Sequence, residues 1–305
     1  MKQFIVSLFV IAVLAMPASA QGVNVVTSIK PVHALVAGVM GEVGTPYLLV
    51  DGNASPHSYA LKPSGAQALE KADLVFWIGP ELEAFLAGPL DVLGSDATSI
   101  ALSKAQGITT LSPREGGDFD AHEHDDEEFG GEHEEIDMHI WLDPDNAKAM
   151  VHEIAAALIA ADPANSSAYT ANVAKIEGEL TILKAEITAI LSPVQGTPFV
   201  VFHDAYQYFE NRFGMIAAGS ITVSPEAIPG VRRIEQIREK IEKLGATCVF
   251  AEPQFTPKLV SVVTEGTSAK LGELDPMGSE MESGPDLYFK LIRALANSMQ
   301  FCLVN

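Results

Sequence analysis

Three histidines and one aspartate stand in short motifs from which they could hold one metal ion together. His57 lies in SPHSY, His139 in DMHIWLDP and His203 at the end of TPFVVFH, while Asp275 lies in GELDPMG. Neutral imidazole is a borderline-soft ligand that suits zinc, whereas calcium and magnesium require mostly oxygen ligands. Each histidine alone is explained by hydrogen bonding in a loop, but the set predicts a tetrahedral Zn²⁺ site.

The other histidines have simpler explanations. His152 falls within a helical pattern and is expected on its surface, and His33 is expected in the first turns of a helix. Three more lie in the acidic segment 118–135, which has no basic residue and no apolar period and is predicted to be a disordered loop. For this segment, weak secondary zinc capture and a purely solvated loop both remain open. Its histidines are His122, His124 and His133.

Composition and missing motifs favour binding over catalysis. The 305 residues include 40 acidic and 19 basic side chains, a net charge of −21, which argues against a nucleic-acid partner and attracts cations. G-x-S-x-G, P-loop and G-x-G-x-x-G motifs are absent, and no His-Glu pair continues as H-E-x-x-H. We therefore predict that the chain is not an enzyme. A zinc hydrolase with Glu252 or Asp204 as general base is the alternative.

The elements that must position these residues alternate between strand and helix patterns. Alternation of this kind predicts βαβ units with parallel strands, whose carboxyl ends gather ligand sites. After the acidic segment, order is expected to resume at 138–142, where His139 is expected to lie beside a strand. The predicted strands are 23–29, 45–50, 73–79, 98–102, 197–203, 215–222, 247–252 and 270–275.

One long helix separates the two alternating regions. Asp162-Pro163 is a helix start signal, and the pattern ends near Ser192-Pro193. Between them apolar residues recur at spacings of four and three, which is typical of a helix packed along one face. This stripe consists of Tyr169, Val173, Ile176, Leu180, Leu183, Ile187 and Ile190. We predict an α/β protein of two βα lobes with mainly parallel sheets, joined by one long rigid helix, with the metal site in the interlobe cleft.

The amino terminus predicts export. Residues 1–20 combine a basic start, an apolar run and a small-x-small end, so we expect a signal peptide cleaved after Ala20 and a soluble periplasmic product. The predicted domains are then the N-terminal lobe 21–162, the linker helix 163–192 and the C-terminal lobe 193–305. Cys248 and Cys302 allow a single pairing, and an oxidising compartment favours a disulfide over two free thiols.

Several motifs together resemble the metal-binding solute receptors of ABC importers, most closely the zinc-specific members. They are TSIKPVHALV, GNASPHSYALKPS, DMHIWLDP, VFHDAYQYF and ELDP. The resemblance implies that His57, His139 and His203 bind the metal, and that Asp275 completes the site or lies beside it, with water as the other candidate. Manganese-type relatives usually have Glu where this chain has His203. Zinc-type relatives often carry an acidic His-containing insert and a C-terminal disulfide.

The same resemblance implies a function. It predicts an exported high-affinity receptor that captures Zn²⁺ and delivers it to the integral membrane permease of an ABC importer. A periplasmic zinc chaperone is a further candidate partner, and a monomer is expected. The alternatives within this fold are a manganese receptor or an adhesin.

Overall fold

The computed structural model describes residues 22–114, 119, 135–222, 225, 229–245, 247–255 and 258–304. The predicted signal peptide at 1–20 lies outside the described residues, as do His122, His124 and His133 of the acidic segment. Among the helices that are described, none combines the length and the apolar character that crossing a membrane requires.

The first lobe is built on a four-stranded parallel sheet in the order β2-β1-β3-β4. The two central strands are wholly buried, because parallel sheets are covered on both faces by their crossover helices. Its strands are β1 (Val25–Ile29), β2 (Tyr47–Val50), β3 (Leu74–Trp77) and β4 (Thr98–Ala101). Its helices are α1 (Lys30–Met40), α2 (Pro63–Leu69), α3 (Ala84–Val92) and α4 (Pro144–Ala161).

The second lobe repeats this plan with the strand order β6-β5-β7-β8, again all parallel. Its strands are β5 (Phe199–His203), β6 (Ala217–Thr222), β7 (Cys248–Ala251) and β8 (Lys270–Glu273). Its helices are α6 (Gln207–Phe213), α7 (Val231–Leu244), α8 (Lys258–Thr264) and α9 (Leu287–Leu303). Because β5 and β7 are neighbours, His203 and the residue after β7, Glu252, lie at the same edge of the sheet.

The long helix α5 (Ser166–Leu191) lies between the lobes and packs against α1 and α4 of the first lobe and α9 of the second. Its helical path begins and ends with 3₁₀ turns, Pro163–Asn165 and Ser192–Val194. The predicted stripe is buried from Tyr169 to Ile187, and Leu191 takes the final buried position while Ile190 is half-buried. The two-lobe α/β prediction is confirmed.

His139 does not lie beside a strand, contrary to the prediction from the sequence. Residues 138–142 form no strand, and a 3₁₀ turn covers Ile140–Leu142 with His139 at its start. The turn closes because the amide of Leu142 donates to the carbonyl of His139 at 3.1 Å. The predicted disulfide between Cys248 and Cys302 is present and ties the start of β7 to the last turn of α9.

Candidate metal centre

Three histidines distant in sequence meet between the lobes. His57 follows β2, His139 precedes the 3₁₀ turn before α4, and His203 is the last residue of β5. One ring nitrogen from each lies within 4.8 Å of the other two, and the ring centroids are 5.3 to 5.8 Å apart. Each lobe therefore contributes to one cluster, and a bound cation would link the two lobes.

Buried carboxylates orient two of these rings. Nδ1 of His139 lies 2.7 Å from Oδ1 of Asp137, and Nδ1 of His203 lies 2.7 Å from Oε1 of Glu252. An ionised carboxylate can only accept a hydrogen bond, so Nδ1 carries the proton in both rings and Nε2 keeps its lone pair. Carboxylate-oriented histidines of this kind are typical of metal ligands.

The spacing of the two Nε2 atoms fits zinc. Nε2 of His139 and Nε2 of His203 are 3.4 Å apart. Two imidazoles on a tetrahedral Zn²⁺, with Zn–N distances of about 2.0–2.1 Å, place their nitrogens about 3.3–3.4 Å apart. Two bare lone pairs at this distance repel each other, and a cation between them would remove the repulsion. The donor set therefore matches a cation better than a hydrogen bond between the rings.

Burial and neighbouring charge shift the pKa values of two of the histidines in opposite directions. Burial, together with the other two imidazoles, lowers the pKa of His57 to about 2. Burial also acts to lower the pKa of His203, but the carboxylate of Glu252 outweighs it, so that the pKa of His203 is raised. His57 thus stays neutral and ready to bind a metal over the whole physiological range, while His203 competes for protons.

The structure does not bring Asp275 into the cluster. Its Oδ1 accepts from the side-chain amide of Gln254 at 2.7 Å and from the backbone amide of Met277 at 3.0 Å. Its Oδ2 accepts from the backbone amide and the hydroxyl of Ser279 at 2.6 and 2.8 Å. Both oxygens are used to stabilise the turn after β8, which differs from the expectation that this carboxylate is the fourth ligand.

Two side chains of the first lobe also donate hydrogen bonds to the turn after β8. Lys30, 4% exposed at the start of α1, donates to the carbonyls of Ser279 and Met281 at 2.7 and 2.9 Å. The indole nitrogen of Trp141 donates to the carbonyl of Pro276 at 2.8 Å. The lobes are therefore joined beside the histidines by contacts that need no metal.

Two cavities meet at the cluster. The inner one, of about 20 Å³, is lined by all three histidines and by Glu252 and Gln254. An outer one of about 370 Å³ shares His57 and His139 with it. The acidic residues that line the outer cavity are Glu81, Glu135, Asp137 and Asp204. An acidic approach to a small inner chamber suits a cation and leaves little room for an organic molecule.

Arg114 engages one of these acidic residues. Its guanidinium bonds both carboxylate oxygens of Asp204 and also Glu210 of α6, the latter at 2.9 Å. Asp204 follows His203 directly in sequence, so this pairing ties a carboxylate beside the cluster to the loop after β4. Asp204 is therefore not available as a free base.

The orienting carboxylates were not predicted from the sequence. Asp137 stands two residues before His139, and its Oδ1 also accepts the backbone amide of His139 at 3.0 Å. The sequence points to Glu252 only as a candidate general base. Both could have been found from the sequence. Asp137 is two residues from a candidate ligand, and Glu252 follows a predicted strand of the same lobe as His203.

Known proteins match almost the whole chain. The family model described as "Zinc-uptake complex component A periplasmic", ZnuA, matches residues 25–302. The chain is 49% identical to the high-affinity zinc uptake system protein ZnuA of Brucella abortus strain 2308, covering 92% of this chain and 91% of the relative.

Solved structures agree with this match. A crystal structure of ZnuA superposes with a TM-score of 0.79 at 27% identity, covering 93% of this chain and 100% of the other. A ZnuA deletion mutant with zinc bound superposes with a TM-score of 0.78 at 26% identity, covering 93% and 99%. The two-lobe fold, the histidine cluster between the lobes and these matches lead to one conclusion: the chain belongs to the ZnuA family of periplasmic zinc-uptake components.

Proposed function

We propose that this protein is a periplasmic receptor that binds one Zn²⁺ with His57, His139 and His203 and delivers it to the permease of an ABC importer. The observation that carries the proposal is the meeting of three ring nitrogens within 4.8 Å, two of them on rings oriented by buried carboxylates. The relatives' name, high-affinity zinc uptake system protein, supports the same cargo.

Ligand chemistry favours zinc over manganese. Three imidazoles suit a borderline-soft ion, whereas Mn²⁺ prefers sites richer in carboxylate oxygen. The two nearest carboxylates, Asp137 and Glu252, each use an oxygen on a histidine Nδ1. A manganese receptor or an adhesin of the same fold is therefore the less favoured reading.

The acidic outer cavity supports capture from solution. Glu81, Glu135 and Asp137 create a negative potential in front of His57 and His139, which concentrates cations at the opening. The segment 118–135 is proposed to add weak secondary binding through His122, His124 and His133. Deleting this segment is expected to leave the tight site intact.

Delivery rather than turnover is the proposed role. Of the two candidate general bases, Asp204 is paired with Arg114, and Glu252 is bonded through Oε1 to His203. The inner chamber of about 20 Å³ is by itself too small to hold an ester, phosphate or lactam. Incubating the zinc form with such substrates is expected to give no hydrolysis above that of free zinc.

We propose cleavage after Ala20, a monomeric receptor, and a periplasmic zinc chaperone as an additional donor of metal. The proposed units are the first lobe at 21–162, the linker helix at 163–192 and the second lobe at 193–305. The loaded receptor would dock on the permease, which would then release the metal.

Calorimetric zinc titration tests the site. The wild type is expected to bind one tight zinc per chain, and His57→Ala or His139→Ala to weaken binding by at least about tenfold, as loss of a metal ligand does. His152→Ala is the matched control, because His152 lies on the surface of α4 and bonds Glu177 at 3.0 Å. Equal affinity of the two site variants and the wild type would reject the triad.

A further inference from the structure

An arginine of the first lobe lines the outer cavity, and two carboxylates of the second lobe hold it there. Nε of Arg114 donates to Oδ1 and Oδ2 of Asp204 at 3.1 and 2.9 Å, and Nη2 also bonds Oδ1. Nη1 and Nη2 donate to Oε2 and Oε1 of Glu210, each at 2.9 Å. One guanidinium therefore engages both oxygens of both carboxylates.

Asp204 lies where a metal ligand could lie. It directly follows His203, and it lines the outer cavity together with His57 and His139. Its side chain is 11% exposed, so bulk water solvates the carboxylate poorly and a cation must balance its charge. Arg114 supplies that cation. Without the guanidinium, a metal ion bound by the histidines would be the neighbouring cation for this carboxylate to face.

Three carboxylates lie beside the histidines, and each has another partner. Oδ1 of Asp137 and Oε1 of Glu252 each lie 2.7 Å from a histidine Nδ1. The third, Asp204, is paired with Arg114 through both of its oxygens. Imidazole nitrogen suits zinc, whereas carboxylate oxygen suits manganese. A site that keeps its carboxylates engaged in this way offers a metal ion nitrogen in preference to oxygen.

We infer that Arg114 is a specificity-determining residue: by holding both oxygens of Asp204, it keeps a carboxylate away from the metal ion and so favours Zn²⁺ over Mn²⁺. This inference rests on the proposed zinc function. Arginine suits this role because its planar fork pairs carboxylates through directed hydrogen bonds, and because it keeps its proton in proteins. The ring of Phe119 lies 3.6 Å from the central carbon of the guanidinium and helps to fix its position.

A double variant tests the inference in the full-length protein. Arg114→Leu releases Asp204. Glu210→Gln removes the other charge, while the amide oxygen can still accept from the backbone of Ala217, as Glu210 does at 2.9 Å. The Kd for Mn²⁺ divided by the Kd for Zn²⁺ should fall about tenfold, a size of effect that groups around a metal commonly have. The ratio is the readout, because removing a positive charge strengthens the binding of all divalent cations.

Two measurements give the ratio, and a third reports the ligands. Electron paramagnetic resonance of free Mn²⁺ gives the manganese Kd, and competition with a chelator of known affinity gives the zinc Kd at the same pH. Cobalt then shows the donor set directly, since the visible absorption of tetrahedral Co²⁺ weakens when an added oxygen ligand raises the coordination number. The double variant should absorb more weakly than the wild type.

Further variants separate the carboxylate from general effects. Adding Asp204→Ala to the double variant should restore the wild-type ratio, because the released carboxylate is gone. Arg293→Leu breaks the pair with Glu186 at 2.8 Å between α9 and α5, and as the matched control it should leave the ratio unchanged. Arg114→Lys keeps a positive charge beside Glu210 in case the double variant does not fold. It should lower the ratio about threefold, since an ammonium lacks the planar fork. Thermal melting of each variant shows whether it folds.

The contrary outcomes are distinct. An unchanged ratio in the folded variants, or a ratio that stays low after Asp204→Ala is added, would overturn the role of Arg114 and leave the histidine triad standing. Kd values that fall by the same factor for both metals would overturn it as well, because Arg114 would then act through charge alone. A wild-type chain that binds no zinc would instead overturn the proposed function.

Discussion

The pH dependence of zinc affinity should show fewer competing protons than the number of histidine ligands. Zinc binds neutral imidazole, so every ligand that is protonated in the free protein must lose its proton on binding. With the pKa of His57 lowered to about 2 by burial and by the other two rings, this ligand carries no proton at any pH where the protein functions. His203, whose pKa is raised, therefore competes for protons, and His57 does not.

The size of the pH effect on zinc affinity depends on which histidine ligands take up a proton. A group whose pKa is raised, as for His203 beside Glu252, is still protonated above the usual value of about 6.5, so weakening begins above that pH. Below its pKa, a protonated ligand lowers affinity about tenfold per pH unit, so lowering the pH from about 7.5 to about 5.5 should cost, through His203 alone, more than the roughly tenfold that a histidine of ordinary pKa would cost.

Competition with a chelator of known zinc affinity, measured at half-unit steps of pH, gives the slope of log affinity against pH. Calorimetry in buffers of different ionisation enthalpy counts the released protons independently. The slope should lie between one and two at about pH 5 and should never reach three. A slope of three would show that His57 titrates with the others. A flat profile would show that the imidazoles are not the ligands.

Three further predictions concern the parts that support the site. Asp137→Ala should raise the zinc Kd about 10- to 100-fold in a calorimetric titration, because the substitution removes the carboxylate that orients the ring of His139. An unchanged Kd would contradict this orienting role. Lys30→Met should lower the free energy of unfolding by about 1.5–3 kcal/mol in urea, since it leaves buried carbonyls unpaired, and an unaltered transition midpoint would argue against this contact. Reducing the Cys248–Cys302 bridge, which spans 54 residues, should destabilise the fold by up to about 4 kcal/mol while zinc still binds, and a loss of zinc stoichiometry in the folded reduced protein would refute the separation of bridge and site.

Much of the fold could be predicted because its patterns are local. The spacing of apolar residues from Tyr169 to Ile187 repeats at the helical period, and the structure buries that stripe as expected. The β-branched segments before α1 and α6 became central buried strands. Strand ends of parallel sheets then bring ligands together, which is why His203 could be placed at the cleft.

Other parts depended on contacts that no local pattern contains. The apolar run at 138–142 has the composition of a strand, but Asp137 accepts the amide of His139 and the chain closes into a turn before α4. The position of Asp275 depends on its hydrogen bonds with Gln254 and Ser279, which lie 21 and 4 residues away in the sequence. A motif shows that a carboxylate is present at a given position. Whether that carboxylate is free to bind a metal depends on the hydrogen bonds that it accepts in the folded chain.

Anomalous X-ray scattering at the zinc edge, on crystals of the zinc-loaded protein, tests the central claim most directly. The account predicts one strong peak between the lobes, about 2.0–2.1 Å from a ring nitrogen of each of His57, His139 and His203. A peak at another position, or one that contacts fewer than three of these rings in protein loaded with one zinc per chain, would contradict it.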